Sequence, residues 1–495
     1  MADVTLINLN MLYLRYRAFV EREVHTPLGC LYLISALEQN GISVDFRDYQ
    51  LNEYADPFLS ENFLDFIKGS ADIIGFSCMA NLLPFTLLMM KAVREKYPEK
   101  TLVLGGVGPK AVERKIMERF DYVDIIGKGE GEIYVPELIK ALKEGCRLSG
   151  VPGIFYRESG MIKENPRPER ISSLDELPLP AFGRIDLRRY KGYNVLTSRG
   201  CIYKCTFCSV APVWDHTAYF RSSASIIDEM AVLHGKTGQE MFLFQDEFFL
   251  SGKERAKEFC LALKKRRLGL KWKAFGRINL VDEELMEMMA DAGCIELRFG
   301  VESGSNRILR EVRKEFSAAD VIDVVPKAAK IFPRTDAFYV WGFPFESMAD
   351  FHESVFQMVS FRSMGVRILP SLLCYLPQTQ IYEEWKERAE FEFFPELIPE
   401  YVLTGHELCR YPNVEMDPKY SGIFGFIREN PDIFTGFFLT DIKGNVLPKL
   451  GVMKKFGFYP DNAAEEGTES CGAHSARVPG ASAVITGTDT PNRCD

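Results

Sequence analysis

Three cysteines, Cys201, Cys205 and Cys208, are spaced as Cys-x-x-x-Cys-x-x-Cys within one short stretch of the chain. Three thiolates on such a loop bind three irons of a four-iron cluster and leave the fourth iron open to a small chelating ligand. A structural zinc site usually has four ligands in two paired clusters, and no second Cys-x-x-Cys or His-x-x-x-His follows. Inert buried cysteines are the alternative, but glycine, arginine and lysine surround these thiols, and Phe207 is placed to shield a cluster from water. The spacing therefore favours an iron–sulfur site.

The composition is that of a globular protein with two or three domains. The chain has 495 residues, of which 46% are hydrophobic and 26% are charged. A net charge of −9 argues against a nucleic-acid partner. No signal peptide and no apolar run of membrane-spanning length is visible, and the scattered cysteines lack a disulfide-framework spacing. We therefore expect a cytoplasmic protein without a transmembrane segment.

Residues 1–145 alternate five short apolar strands with amphipathic helices, a pattern that predicts a doubly wound, Rossmann-like parallel sheet. Ligands bind such sheets outside the carboxyl ends of the strands, where this sequence places Ser77 and the glycine-containing turns 105–108 and 127–132. Glycine lets a cofactor approach the backbone closely, although tight β-to-α turns require glycine as well. The dinucleotide pattern Gly-x-Gly-x-x-Gly is absent, so a nicotinamide site is not indicated.

A second series of six β/α units runs through residues 193–385, too few for a closed eightfold barrel. The intervening residues 146–192 are polar and bounded by prolines, which indicates an ordered linker. Residues 386–460 are rich in aromatic residues and predict a small, mostly helical region that uses them as its core, or alternatively as a lid over an apolar substrate. Residues 461–495 lack aromatic residues and periodicity, which predicts a disordered tail.

The run from Ser198 to Cys208 resembles the signature of the radical S-adenosylmethionine (SAM) superfamily, and the likeness extends over most of residues 1–385. The resemblance implies that residues 193–385 form the partial (β/α)6 barrel of that superfamily, with the cysteine loop directly after its first strand. It also implies that the three cysteines bind a [4Fe–4S] cluster, and that the amino and carboxylate groups of SAM chelate the open iron.

Polar residues at the carboxyl ends of later barrel strands look like the family's SAM-binding elements. A guanidinium pairs well with a carboxylate, so Arg277 suits the SAM carboxylate; for each such residue an ordinary salt bridge or turn is the alternative. The stretch 245–247 departs from the Gly-Gly-Glu-Pro of many members, and Gln378 replaces the glycine of a Pro-Gly-Thr turn. The implied SAM-binding residues are Gln245, Asp246, Glu247, Arg277, Glu302, Ser303 and Gly342.

The N-terminal region resembles the cobalamin-binding domain that precedes some radical SAM domains. The motif Asp-x-His-x-x-Gly, whose histidine ligates cobalt in other cobalamin domains, is absent, so His25 is interpreted as a loop residue. By fold analogy, the neighbour of the lower cobalt face lies in the loop between Asn10 and Thr26. The implied cobalamin-binding residues are Thr26, Pro27, Leu28, Gly29, Ser77, Gly105, Gly106, Val107, Gly127, Gly129 and Glu130.

Together these resemblances imply a cobalamin-dependent radical SAM enzyme. In this family the reduced cluster cleaves SAM to a 5′-deoxyadenosyl radical, and methylcobalamin then methylates an unactivated carbon of the substrate, here a small molecule, lipid or peptide. A reductant such as flavodoxin or ferredoxin would supply the electron. The alternatives are a radical cyclase, rearrangement or carbon–carbon bond-forming enzyme, and a non-catalytic cobalamin- or SAM-binding sensor.

Overall fold

Two mostly parallel sheets follow one another along the chain. The computed structural model describes residues 2–9, 24–190, 192–244, 246, 248–399 and 418–459, all within one unit. The predicted disordered tail, 461–495, lies outside the described residues.

The first sheet has seven strands in the order β2-β1-β3-β4-β5-β6-β7, of which the first five are parallel and the last two antiparallel. This confirms the predicted doubly wound sheet. The antiparallel strands come from residues 146–192, for which we expected an ordered linker. The strands are β1 (Val4–Asn8), β2 (Val44–Asp48), β3 (Ile73–Ser77), β4 (Thr101–Gly105), β5 (Ile125–Gly127), β6 (Ile154–Glu158) and β7 (Met161–Glu164).

Helices cover both faces of this sheet because alternate strand residues point to opposite sides. In β1, Leu6 belongs to one hydrophobic core and its neighbour Ile7 to another. The core that contains Leu6 also takes residues from α1 and α5, whereas the core that contains Ile7 takes residues from α2, α3 and α4. The helices are α1 (Leu28–Gln39), α2 (Ser60–Phe66), α3 (Leu83–Lys96), α4 (Glu113–Arg119) and α5 (Gly131–Glu144).

The second sheet has six parallel strands in the order β8-β11-β12-β13-β14-β15. Its first and last strands lie at opposite edges, which confirms the predicted partial barrel. A short antiparallel ladder, β9 with β10, begins and ends the segment that carries the cysteines. The strands are β8 (Asn194–Val195), β9 (Ser198–Arg199), β10 (Tyr219–Phe220), β11 (Met241–Phe244), β12 (Lys271–Gly276), β13 (Cys294–Glu302), β14 (Arg334–Trp341) and β15 (Arg367–Leu372).

Eight helices lie between or after these strands in the described barrel residues, and two of them lie between β13 and β14. They are α6 (Val210–Val213), α7 (Ser223–Thr237), α8 (Lys253–Arg266), α9 (Glu283–Asp291), α10 (Asn306–Glu311), α11 (Ala318–Ile331), α12 (Met348–Ser363) and α13 (Gln380–Trp385).

The C-terminal region combines helices with one small antiparallel ladder, β16 with β17. Its aromatic side chains Phe424, Phe434 and Phe437 are buried in the same core as α2, α3 and α4, which favours their interpretation as core. Two other aromatic residues of this region, Tyr401 and Tyr411, lie outside the described residues. The elements are β16 (Phe391–Phe393), α14 (Ser421–Glu429), β17 (Phe438–Thr440) and α15 (Leu447–Lys455).

Candidate active site

A cavity of about 450 Å³ lies between the carboxyl edge of the first sheet and the start of the barrel. Thr26 and Pro27 precede the first lining residue of α1, Leu28, and do not themselves line the cavity. The Thr26 hydroxyl accepts a hydrogen bond from the Asn194 N–H at 3.1 Å. The barrel side includes Trp214 and the segment 198–200. The predicted cobalamin-binding residues that line it are Leu28, Gly29, Ser77, Gly105, Gly106, Val107, Gly127, Gly129 and Glu130.

Two glycines at this edge are required by close packing. Gly106 has φ +83°, and a Cβ added there would lie 2.4 Å from the carbonyl oxygen of Cys78. A Cβ at Gly127 would lie 1.8 Å from the hydroxyl of Tyr134. The backbone conformation at Gly106 and the packing of Tyr134 against Gly127 therefore account for these two glycines whether or not a ligand is present.

A buried ionic network connects the two sides of the cavity. The Arg199 guanidinium donates to Glu130 at 2.8 Å and to Glu132 at 2.6 Å, and Arg170 donates to the Arg199 carbonyl at 3.0 Å. The second oxygen of Glu130 accepts the Ile171 N–H at 2.8 Å, so both oxygens of this predicted cobalamin contact already have protein partners. Sequence reasoning missed the role of Arg199, although a charged residue directly before the cysteine loop was a visible signal.

The cysteine loop is anchored to the barrel at its centre. The Thr206 N–H donates to the Val312 carbonyl at 3.3 Å, and the Ile381 N–H donates to the Thr206 carbonyl at 2.9 Å. The Cys205 thiol lies 3.8 Å from the carbonyl oxygen of Arg313. Segments far away in sequence therefore hold the loop in place.

The surroundings of Cys208 shift the pKa of its thiol. Burial, and to a smaller extent Cys205 and Cys201, raise this pKa to about 12 against the opposing effect of the N–H groups of Val210 and Ala211. The three thiols are thus near enough to influence one another. Within the described residues no three His, Cys, Asp or Glu side chains are grouped as they would be around a single metal ion. In a four-iron cluster each cysteine binds a different iron, so the donor set fits a cluster.

Arg277 lies directly beside the cysteine loop. Its Nη1 is 3.9 Å from the Cys205 sulfur, and its guanidinium carbon is 3.4 Å from the centroid of the Tyr203 ring. Its Nη2 donates to the carbonyl of Lys314. Its Nε is buried and finds no acceptor among the described residues. The side chain is therefore held by stacking while one donor stays available for a ligand.

Asp246 fixes the segment before the cysteines. Its carboxylate accepts the Thr197 N–H at 3.0 Å and the hydroxyls of Thr197 and Ser198 at 2.6 Å each. Burial raises the pKa of this carboxyl. Gln245 and Glu247, the other two predicted SAM contacts of this stretch, lie outside the described residues.

Glu302 and Ser303 end β13 in a polar but buried environment. Glu302 accepts a hydrogen bond from the Lys314 ammonium at 2.9 Å, and both side chains are buried. Its φ is +70°, which non-glycine residues seldom adopt. The hydroxyl of Ser303 lies 3.0 Å from that of Ser354.

The C-terminal region braces the turn after β14. Gly342, at φ +84°, donates its N–H to Glu346 at 3.0 Å. The buried ammonium of Lys449 donates to the same carboxylate at 2.8 Å, and Asn445 donates to the Phe343 carbonyl at 3.1 Å. Burial raises the pKa of Glu346 and lowers that of Lys449. Lys449 and Asn445 were not predicted from the sequence, because no motif near them indicates that they contact this turn.

Two protein-family models match parts of the chain. Residues 195–358 match the Radical SAM superfamily, and residues 19–139 match the B12 binding domain. The chain therefore contains a radical SAM domain and a B12-binding domain. The first domain implies a [4Fe–4S] cluster and SAM as cofactors of this radical SAM enzyme, and the second domain implies cobalamin. Within the described residues, no helix combines the length and apolar character needed to cross a membrane.

Several known proteins resemble this radical SAM enzyme. It is 28% identical to an uncharacterized methyltransferase of Pyrococcus horikoshii, over 66% of this chain and 72% of that protein. It is 26% identical to the anaerobic magnesium-protoporphyrin IX monomethyl ester cyclase of Rubrivivax gelatinosus, over 58% of this chain and 54% of the cyclase. Its fold matches that of the radical SAM methyltransferase TsrM from Kitasatospora setae, solved with cobalamin and a [4Fe–4S] cluster, at a TM-score of 0.63, 20% identity and 78% coverage of both chains.

Proposed function

We propose that this enzyme methylates an unactivated carbon of a small-molecule, lipid or peptide substrate. The observation that carries the proposal is the cavity between the two sheets. Its lining combines the turns after β3, β4 and β5 with the segment 198–200, which directly precedes the first cysteine. Residues that hold cobalamin there would therefore adjoin the residues that hold the cluster.

The surroundings of the cysteine loop support the proposed cluster and SAM contacts. The thiolates of Cys201, Cys205 and Cys208 would bind three irons. Arg277 would orient the SAM carboxylate, because its buried Nε lacks an acceptor in the described chain and lies beside the cysteine loop. Glu302 would take part through the oxygen that Lys314 leaves uncovered.

When bound, the cluster supplies the electron that cleaves SAM, and cobalamin supplies the methyl group. The protein positions these groups and excludes water from them. Phe207 lies against the buried Phe343, with ring centroids 5.9 Å apart, and Phe343 stacks on Phe345 at 5.5 Å. These rings give the cysteine loop an apolar flank.

Methylation is supported by two kinds of likeness. The relative from Pyrococcus horikoshii is named as a methyltransferase, and TsrM is a radical SAM methyltransferase solved with cobalamin bound. A one-electron donor such as flavodoxin or ferredoxin would reduce the cluster, and a reducing cytoplasm would protect it.

Anaerobic reconstitution tests the proposal. The chain is incubated with iron, sulfide and hydroxocobalamin, desalted, and assayed for metal content and for SAM products under strong reduction. We expect about four irons and one cobalt per chain, with 5′-deoxyadenosine and S-adenosylhomocysteine both released when a methyl acceptor is present. A chain that holds iron but no cobalt would contradict the methyltransferase assignment.

Radical cyclisation is the second candidate, because the cyclase of Rubrivivax gelatinosus also resembles this chain. The same assay separates the two reactions. A cyclase would release 5′-deoxyadenosine without S-adenosylhomocysteine, whereas a sensor with an intact cluster would release neither.

A further inference from the structure

One corner of the cavity is lined by three cationic side chains. Lys110 follows the turn after β4, Lys128 follows β5, and Arg167 follows β7. Arg167 lies over the backbone of Gly129, since a Cβ added at that glycine would be 3.6 Å from the Arg167 Nε. Three separate segments thus bring positive charge to the same edge of the sheet.

The three cations differ in their partners. Lys128 donates to Glu164 at 2.6 Å and lies 4.7 Å from the centroid of the Phe155 ring. The Nη1 of Arg167 donates to both carboxylate oxygens of Asp215, at 3.0 Å each. Neither an ion pair nor a hydrogen bond joins the Lys110 ammonium to any described residue.

The surroundings of Lys110 compensate its charge only in part. Burial lowers its pKa, and Arg167 and Lys128 lower it further, whereas Glu113 and Asp215 act against them. Glu113, the first residue of α4 and three positions after Lys110, is itself buried and makes no ion pair with Lys110, and burial raises its pKa. A partly buried cation beside two others costs free energy unless an anion joins it. This corner is therefore built to receive an anionic group.

The chemistry of cobalamin identifies that group. The amides around the corrin ring are neutral, and the phosphodiester of the nucleotide loop carries the one formal negative charge of the periphery. We propose that Lys110, flanked by Arg167 and Lys128, binds the phosphodiester of cobalamin. This inference rests on the proposed function, because it requires cobalamin in the cavity.

Paired corrinoids test the assignment. Affinities of the full chain for hydroxocobalamin and for cobinamide, which lacks the phosphodiester and the nucleotide, are measured by absorbance titration. We expect Lys110→Gln to weaken cobalamin binding about tenfold or more, as for a lost charge-assisted hydrogen bond, and to leave cobinamide binding unchanged. Lys110→Arg should retain most of the affinity. Lys96→Gln, at an exposed lysine of α3, is the matched control and should change neither affinity.

Each other outcome has a distinct meaning. Equal weakening of both corrinoids by Lys110→Gln would show that Lys110 supports the cavity wall, and would overturn the phosphodiester assignment. Unchanged cobalamin affinity would overturn it as well, and weakened SAM binding in the cobalamin-free variant would then identify SAM as the source of the anion. If the wild-type chain binds neither corrinoid, the proposed function and this inference both fail; if it binds both, only the inference is at stake.

Discussion

At the scale of single residues, the three thiols decide whether the chain can do radical chemistry. Replacing Cys201, Cys205 or Cys208 with alanine removes one of three cluster ligands. We expect each variant to lose the cluster absorbance and SAM cleavage while it keeps its cobalamin, because the turns after β3, β4 and β5 stay intact. Cys146→Ala, at an exposed cysteine outside the site, is the control. Sustained SAM cleavage in any of the three variants would refute the ligand assignment.

Arg277 bears on the electron affinity of the cluster. Its guanidinium lies 3.9 Å from the Cys205 sulfur, and positive charge or N–H donors near cluster sulfurs favour the reduced state. We expect Arg277→Gln to lower the midpoint potential of the reconstituted cluster, measured by redox titration with electron paramagnetic resonance. The midpoint potential of Arg277→Lys should lie between those of the wild-type chain and Arg277→Gln. An unchanged potential together with weaker SAM binding would assign Arg277 to the SAM carboxylate alone.

At the residue scale, the sequence predicts a site when its residues are neighbours in the chain. The cysteine spacing lies within eight consecutive positions, so the sequence alone indicated the loop. The pairing of Arg199 with Glu130 and Glu132 joins positions that are 69 and 67 residues apart. No local pattern records such a contact, because it depends on how the two sheets pack.

At the scale of strands, a buried ionic network ties together the beginnings of β13, β14 and β15. Glu296 accepts from Arg298 at 2.6 Å, and Asp336 accepts from Arg367 at 2.8 Å. Burial and the neighbouring Glu296 raise the pKa of Asp336 to about 7. For Glu296 the cations Arg298 and Lys273 outweigh burial and lower the pKa to about 2.

The raised pKa of Asp336 predicts how stability changes with pH. The folded chain binds this proton more tightly than the unfolded chain, so the associated stability is lost as pH rises through about 7. We expect the apo chain to be less stable at about pH 8 than at about pH 6, by about 1.4 kcal/mol in total over that interval. Asp336→Asn should flatten this dependence in thermal unfolding. A variant with the wild-type slope would locate the titrating group elsewhere.

Element prediction succeeded where apolar periodicity was strong and failed where turn chemistry carried the signal. The parallel strands of both sheets are short apolar runs, which sequence reasoning found. The hairpin β6–β7 was assigned to a linker because prolines and charges surround it. Its two turn residues, Ser159 and Gly160, have φ of +51° and +77°, as the favoured hairpin turns require. The dipeptide Ser159-Gly160 was therefore the sequence signal for this hairpin.

At the scale of the whole molecule, the first sheet shares one hydrophobic core with the barrel and another with the C-terminal region. Leu31 of α1 is in the same core as Trp272 of the barrel, whereas Phe85 of α3 is in the same core as Phe424. The sheet that lines the cavity is thus fixed from both faces. The position of the predicted cobalamin-binding residues relative to the cysteines then depends on the contacts that join the two sides of the cavity.

Arg199 makes two buried contacts of this kind. It is 8% exposed and lies between two carboxylates, those of Glu130 and Glu132, whose side chains are 2% and 10% exposed. Removing one partner of a buried ion pair costs about 3–5 kcal/mol because the remaining charges stay desolvated. We expect Arg199→Met to lower the free energy of unfolding of the apo chain by an amount of that order. The same substitution should also weaken cobalamin binding.

A matched set of variants separates charge compensation from packing. Arg188→Met removes an exposed arginine that pairs with Asp186, and it should leave the stability nearly unchanged because solvent screens an exposed ion pair. Adding Glu130→Gln and Glu132→Gln to Arg199→Met removes the uncompensated charges and should restore part of the lost stability, since neutral groups are cheaper to bury. If the triple variant is no more stable than Arg199→Met, the arginine acts through packing against Tyr32, 5.4 Å from its guanidinium. Recovery of stability without recovery of cobalamin binding would show that the network orients the cavity as well as stabilising the fold.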